Sequence, residues 1–144
     1  MSTPDIEEIR RELGGKWTLD RSENFDQFLE TLGLNILFRK MASVAKPVIE
    51  FTVEENIVNL ISKVSFFNQV MEFKLNEEYT QSFEGIDMIC FSRWEDKKLI
   101  TEAKPAVEGK GKPQRFQRER INDEIIQTMT VGDVVCTRVF TKMN

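Results

Sequence analysis

From Pro47 onward the chain is a succession of short runs rich in β-branched and aromatic residues, recurring every ~8–12 residues between turn residues. The runs are Val48–Val53, Ile57–Lys63, Phe67–Leu75, Glu78–Phe83, Asp87–Trp94, Lys98–Lys104, Pro113–Ile121, Glu124–Val131 and Val134–Lys142. Glu54-Glu55-Asn56, Asn76-Glu77, Gly85, Glu95-Asp96, Asn122-Asp123 and Gly132-Asp133 connect them as hairpin turns, and only the stretch Glu108 to Lys112 is longer and looser. A meander of this length presents two bare edges unless it closes on itself, which points to an up-and-down barrel.

Before Pro47 the pattern differs. Thr3 as N-cap, Pro4 at the first helical position and acidic residues in the first turn predict a short, mostly solvated N-terminal helix ending near Leu13. Lys16–Arg21 reads as a strand, which brings the total to ten. Asn24 then caps a helix whose Phe25, Phe28, Leu29 and Leu32 share one face, and Gly33 ends it. Asn35 starts another, in which Leu37, Met41 and Val44 repeat the helical spacing up to Pro47. Residues 24–46 therefore form a helical hairpin able to cover one barrel end with its Phe-rich face inward. The fold expected is mainly β: a ten-stranded antiparallel up-and-down barrel with a two-helix cap. It is a single domain over residues 1–144, with residues 1–13 as an extension.

About eight strands make a barrel that side chains just fill, so ten enclose a cavity. Eleven of the 144 residues are Phe against one Tyr, an apolar lining without hydrogen-bonding groups. No His is present, so the usual general base and metal ligand are missing, and neither a phosphate-binding glycine loop nor a metal-ligand cluster appears. An enzyme, a metal site and a cofactor are not expected. The net charge of −4 argues against nucleic acid as a partner. No long apolar segment and no secretory signal pattern is visible, and Cys90 and Cys136 read as reduced, buried thiols of a cytoplasmic chain.

Strand alternation places Phe116, Arg118 and Arg120 on one face and Val134, Cys136, Arg138 and Phe140 on one face. Strand charges ordinarily face solvent, and periodicity leaves the sense open. The company of Phe116 and of Val134 and Phe140 favours the inward sense. An inward arginine suits a carboxylate, whose two oxygens match the guanidinium fork. A hydrophobic acid with its tail in the lumen follows, each buried methylene contributing ~0.8 kcal/mol.

GKWTLDRSENFDQFLETL (15–32), RKMASVAKP (39–47), SFFN (65–68) and TRVF (137–140) resemble the cytosolic fatty-acid-binding protein family, over residues 14–142. The resemblance implies a ten-stranded β-clam that binds and transports a long-chain fatty acid or similar hydrophobic acid as a monomer inside the cell. It implies Arg118 and Arg138 as carboxylate ligands, with Arg120 and Phe140 as headgroup neighbours. Phe140 departs from the tyrosine the pattern carries there. Phe25, Phe28, Met41, Ala45 and Phe66 match portal and tail positions, joined by Phe116 on the wall. Arg118, where retinol carriers tend to have Gln, implies an acid rather than an alcohol, and retinoic acid is the alternative ligand. Arg39 and Lys40 begin a basic patch on the second cap helix, suited to transient contact with anionic membranes or to ligand-gated docking. Relatives that enter the nucleus carry a third basic residue where this chain has Glu30.

Overall fold

The computed structural model of the chain describes residues 3–65 and 67–143, and for Phe67 the backbone alone. Helix α1 (Pro4–Leu13) precedes β1 (Gly15–Glu23), and α2 (Phe25–Thr31) and α3 (Ile36–Val44) form the hairpin. Nine strands follow: β2 (Val48–Glu54), β3 (Ile57–Val64), β4 (Phe67–Phe73), β5 (Glu78–Phe83), β6 (Ile86–Glu95), β7 (Lys98–Pro105), β8 (Gln114–Ile121), β9 (Glu124–Val131) and β10 (Val134–Lys142). They form one ten-stranded antiparallel sheet in the order β4-β3-β2-β1-β10-β9-β8-β7-β6-β5, so β1 joins the two halves by pairing with both β2 and β10.

The expected turns hold at Asn122-Asp123 and Gly132-Asp133, where Ile121 pairs with Glu124 and Val131 with Val134. At the β6–β7 hairpin the turn is one residue further on than expected. Glu95 pairs with Lys98, and Asp96 and Lys97 both take positive φ, as a two-residue turn matching the strand twist requires.

β4 and β5 are the two ends of the sheet, and side chains bridge the seam between them. Gln69 Nε2 donates to Ser82 O at 3.2 Å, Gln81 Nε2 donates to Val70 O at 3.3 Å, and the rings of Phe73 and Tyr79 stack 5.1 Å apart.

The cap forms as its signals predict, with one exception. Asn35 Oδ1 accepts from Phe38 N at 2.8 Å, and at the end of α2 the Gly33 and Leu34 amides bond back to Glu30 and Leu29 with Gly33 at φ 89°. Asn24 occupies the N-cap position of α2 in the left-handed region and makes no capping bond; its side chain instead donates to Val135 O on β10.

Helix α1 is not the mostly solvated element its composition suggests. Ile6, Ile9 and Leu13 are fully buried and pack with Trp17, Ile125 and Phe140 across the end of the barrel away from the cap. Trp17 Nε1 donates to Leu13 O at 2.9 Å, Arg10 to Val53 O at 2.9 Å, and Trp94 Nε1 to Glu8 at 2.7 Å. Gly14 makes the sharp exit into β1: a Cβ there would lie 2.4 Å from Arg10 O. Charged residues of both signs, Asp5, Glu7, Arg10 and Arg11, make up the exposed side of α1 and mask an apolar stripe of only three residues in its composition.

Candidate functional site

A cavity of about 440 Å³ lies between the cap and the sheet, within the ~300–1,000 Å³ typical of small-molecule sites. Its roof is Phe25, Phe28, Leu29, Phe38, Ala42 and Ala45, and its walls include Leu60, Met71, Phe83, Met88, Phe116 and Met129. Arg118, Gln127, Arg138 and Phe140 also face it.

The strand register assembles the polar part. Arg118 on β8 is directly opposite Gln127 on β9, which is directly opposite Arg138 on β10, which is directly opposite Ser22 on β1. Arg118 Nε donates to Gln127 Oε1 at 2.9 Å, and Arg138 Nε donates to Ser22 Oγ at 2.9 Å. The guanidinium of Arg138 also lies 3.6 Å from the centre of the Phe25 ring, so a cap residue covers one of its faces. Arg118 and Arg138 are only 7% and 8% exposed, and among the described residues no carboxylate lies within ion-pair distance of either.

Burial pushes both guanidinium groups down, each to about 10. That is still far above neutrality, so both remain cationic at neutral pH. Two buried positive charges without a counter-charge are unfavourable in a low-dielectric lumen, and an entering anion would offset that cost. Burial pushes the Cys90 and Cys136 thiols up to about 11, so neither is a nucleophile at neutral pH.

The structure separates the expected site residues. Arg118, Arg138, Phe140, Phe25, Phe28, Ala45 and Phe116 all face the cavity. Arg120 shares the strand face of Arg118 but belongs to the barrel floor. It lies 5.6 Å over the Trp17 ring and donates to Asn122 O and to Glu12 O at the end of α1. Its charge is thereby used in structure, away from the headgroup. Met41 lies outside the cavity wall, on the exposed side of α3 with Leu37 and Val44. Those three share the face that the helical spacing picks out, but the face turned inward carries Leu34, Phe38, Ala42 and Ala45. Phe66 lies outside the described residues.

The basic patch is reduced by its own neighbours. Arg39 pairs with Asp26 at 3.0 Å and Glu30 at 3.3 Å and donates to Leu34 O, clasping α3 to α2, which leaves Lys40 exposed. The loop at 108–112 reaches the cap as well: Lys112 Nζ donates to Thr31 O at 2.8 Å, and Gly111 lines the cavity against Ile86. Sequence reasoning overlooked Gln127. The available signal was a lone amide within the stripe Ile125, Gln127, Met129, Val131, whose other members are apolar.

A lidded barrel with a largely apolar lumen and two cations without a carboxylate partner in its wall, among the described residues, is a container for a hydrophobic anion. Residues 14–143 match the model of the Lipocalin / cytosolic fatty-acid binding protein family, and the chain belongs to that family. It is 36% identical over 133 residues to human cellular retinoic acid-binding protein 2, covering 89% of this chain and 96% of that protein. Apo lipid binding protein 8 of Caenorhabditis elegans superposes with a TM-score of 0.89 at 26% identity, covering 99% of both chains. The fatty acid binding protein of Schistosoma mansoni in complex with arachidonic acid gives 0.84 at 26% identity, covering 92% of this chain and 97% of that one.

Proposed function

We propose that this chain is an intracellular carrier of a long-chain fatty acid or a comparable hydrophobic carboxylic acid. The observation that carries the reading is the pair of buried guanidinium groups, Arg118 and Arg138, unpaired on the wall of an apolar cavity and in register across Gln127. The tail supplies affinity through buried methylenes, and the arginines select the headgroup. The names of similar proteins support an acid of either kind, arachidonic acid in one and retinoic acid in another. The reading places the protein in the cytosol as a monomer and a carrier rather than an enzyme, with no metal or cofactor.

Replacing Arg118 with Ala tests it directly. Binding of oleate should weaken about 10- to 100-fold, and binding of methyl oleate about twofold or less. Equal weakening of both ligands would mean that Arg118 acts only through the fold.

The cap supports a second role, contact with an anionic membrane at which the ligand is delivered. Leu37 and Val44 on α3 are 68% and 79% exposed, with Ile36 and Met41 beside them and Lys40 on the same helix. Apolar side chains left in water on a short helix beside a cation fit the boundary between headgroups and acyl chains. Because Arg39 holds the two helices together, the apolar stripe and Lys40 carry this role.

A further inference from the structure

The corner at which β1 passes into α2 holds Arg138 from two sides. β1 is bulged between Leu19 and Arg21: Leu19 is opposite Phe140 on β10, Arg21 opposite Val139 and Ser22 opposite Arg138, with Asp20 as the extra residue. Trp17 and Leu19 are buried, so strict alternation would next turn Arg21 inward, against Arg138. The bulge turns Ser22 there instead. Asp20 and Arg21 stay in solvent, where they pair at 2.8 Å and Arg21 reaches Glu124 at 3.0 Å. Asn24, at φ 62°, then bends the chain into α2, and its side chain ties the corner to Val135 O on β10 at 3.2 Å. Phe25, the first residue of α2, sets its ring centre 3.6 Å from the guanidinium carbon of Arg138.

A guanidinium offers a carboxylate two forked edges, Nε with one Nη or the two Nη groups together. Ser22 Oγ accepts from Arg138 Nε at 2.9 Å and occupies the first edge, while the Phe25 ring covers one face of the plane. The Nη pair is left, and among the described residues it has no hydrogen-bond partner. Serine does this without charge. Arg21 in its place would set a second cation against Arg138, and a carboxylate there would neutralise the guanidinium before any ligand arrived. Ser22 is exposed and stands outside the cavity wall, so its influence on a ligand passes through Arg138. Arg118 is held in the same manner, its Nε on the neutral Gln127 side chain.

We propose that Ser22 is a positioning residue for recognition of the acid: by taking Arg138 Nε it turns the guanidinium end-on to the cavity, so that the carboxylate meets the two Nη groups. The bulge at Asp20 is what brings this neutral acceptor to Arg138. The proposal rests on the carboxylate reading above and deepens it.

The test compares oleate with methyl oleate in the full chain and in its variants. Ser22→Ala should weaken oleate about fivefold and leave methyl oleate within about twofold. Ser22→Thr keeps the hydroxyl and should restore oleate to within about twofold of the parent chain. In an Arg138→Met background, adding Ser22→Ala should change oleate binding by less than about twofold, because the group it positions is gone. Equal weakening of acid and ester, no recovery with threonine, or a full effect in the Arg138→Met background overturns the role of Ser22. Oleate binding unchanged by Ser22→Ala overturns it too, and tighter binding would show that the carboxylate prefers the edge to which Nε belongs. A parent chain that does not distinguish the acid from the ester overturns instead the carboxylate reading.

Discussion

The two ends of the barrel are built from similar materials and put them to opposite use. At the floor, α1 buries Ile6, Ile9 and Leu13 against Trp17, and the arginine there, Arg120, is hydrogen-bonded to backbone carbonyls and stacked on the indole. At the cap, α3 leaves Leu37, Met41 and Val44 in solvent, and the arginines on the cavity wall, Arg118 and Arg138, have no carboxylate partner among the described residues. A closed end saturates its groups and is stable for that reason. The opposite end leaves charges and apolar surface unsatisfied, and in the function proposed above that deficit is what a ligand fills.

Three experiments sharpen or break this contrast. The largest effect is expected at the floor: Ile9→Ala removes buried methyl groups from a well-packed contact and should lower unfolding stability by about 2–5 kcal/mol in urea denaturation. Its ratio of oleate to methyl oleate affinity should remain that of the parent chain. A changed ratio would show that floor and site are one cooperative unit, and the contrast would be lost.

At the cap the balance reverses. Exchanging both Leu37 and Val44 for Ser should leave stability within about 1 kcal/mol, since both side chains are already in water. It should slow transfer of a fluorescent fatty acid to vesicles containing phosphatidylserine several-fold. Transfer at the parent rate would remove the membrane role and leave the stripe without one.

The smallest effect concerns the two thiols. The thiols of Cys90 and Cys136 are raised by burial from 9.0 to about 11, so the fold favours their neutral form. In the unfolded chain they ionise first. Their contribution is complete below about pH 9 and is lost as pH rises toward about 11. The urea midpoint should therefore fall modestly between about pH 9 and pH 11, and a Cys90→Ala, Cys136→Ala double variant should lack that part of the slope. A slope identical in the variant would assign the decline to other groups.

Much of this molecule is legible in its sequence because the relevant signals are local. Turn residues and two-residue periodicity place the strands to within a few residues, and Asn35, Gly33 and Thr3 do at helix ends what their side chains and backbones favour. Gln127 escaped notice because an amide in a strand has no sense of its own. Its meaning comes from the register that places it between Arg118 and Arg138. The seam between β4 and β5 is equally invisible in a linear reading: Gln69 reaches Ser82 O and Gln81 reaches Val70 O only because the ends of the sheet curl together.

By itself the sequence determined the elements, their order, the shared face of Phe116 and Arg118, and the shared face of Arg138 and Phe140. Alternation states which residues go together but carries no sign, so it cannot say which face is inside. Barrel closure set that sign, and the position along each strand then divided the arginines: Arg120 fell at the floor, where Glu12 and Asn122 supply backbone carbonyls, and Arg118 fell in the lumen, where its hydrogen-bond partner is the Gln127 side chain. Tertiary structure likewise chose between the two apolar faces of α3 and buried the stripe of α1. The nine-residue α3 is apolar on two faces, and only the surface it meets decides which one leaves the water; α1 has a single short stripe, too small to show whether it docks until the barrel floor receives it.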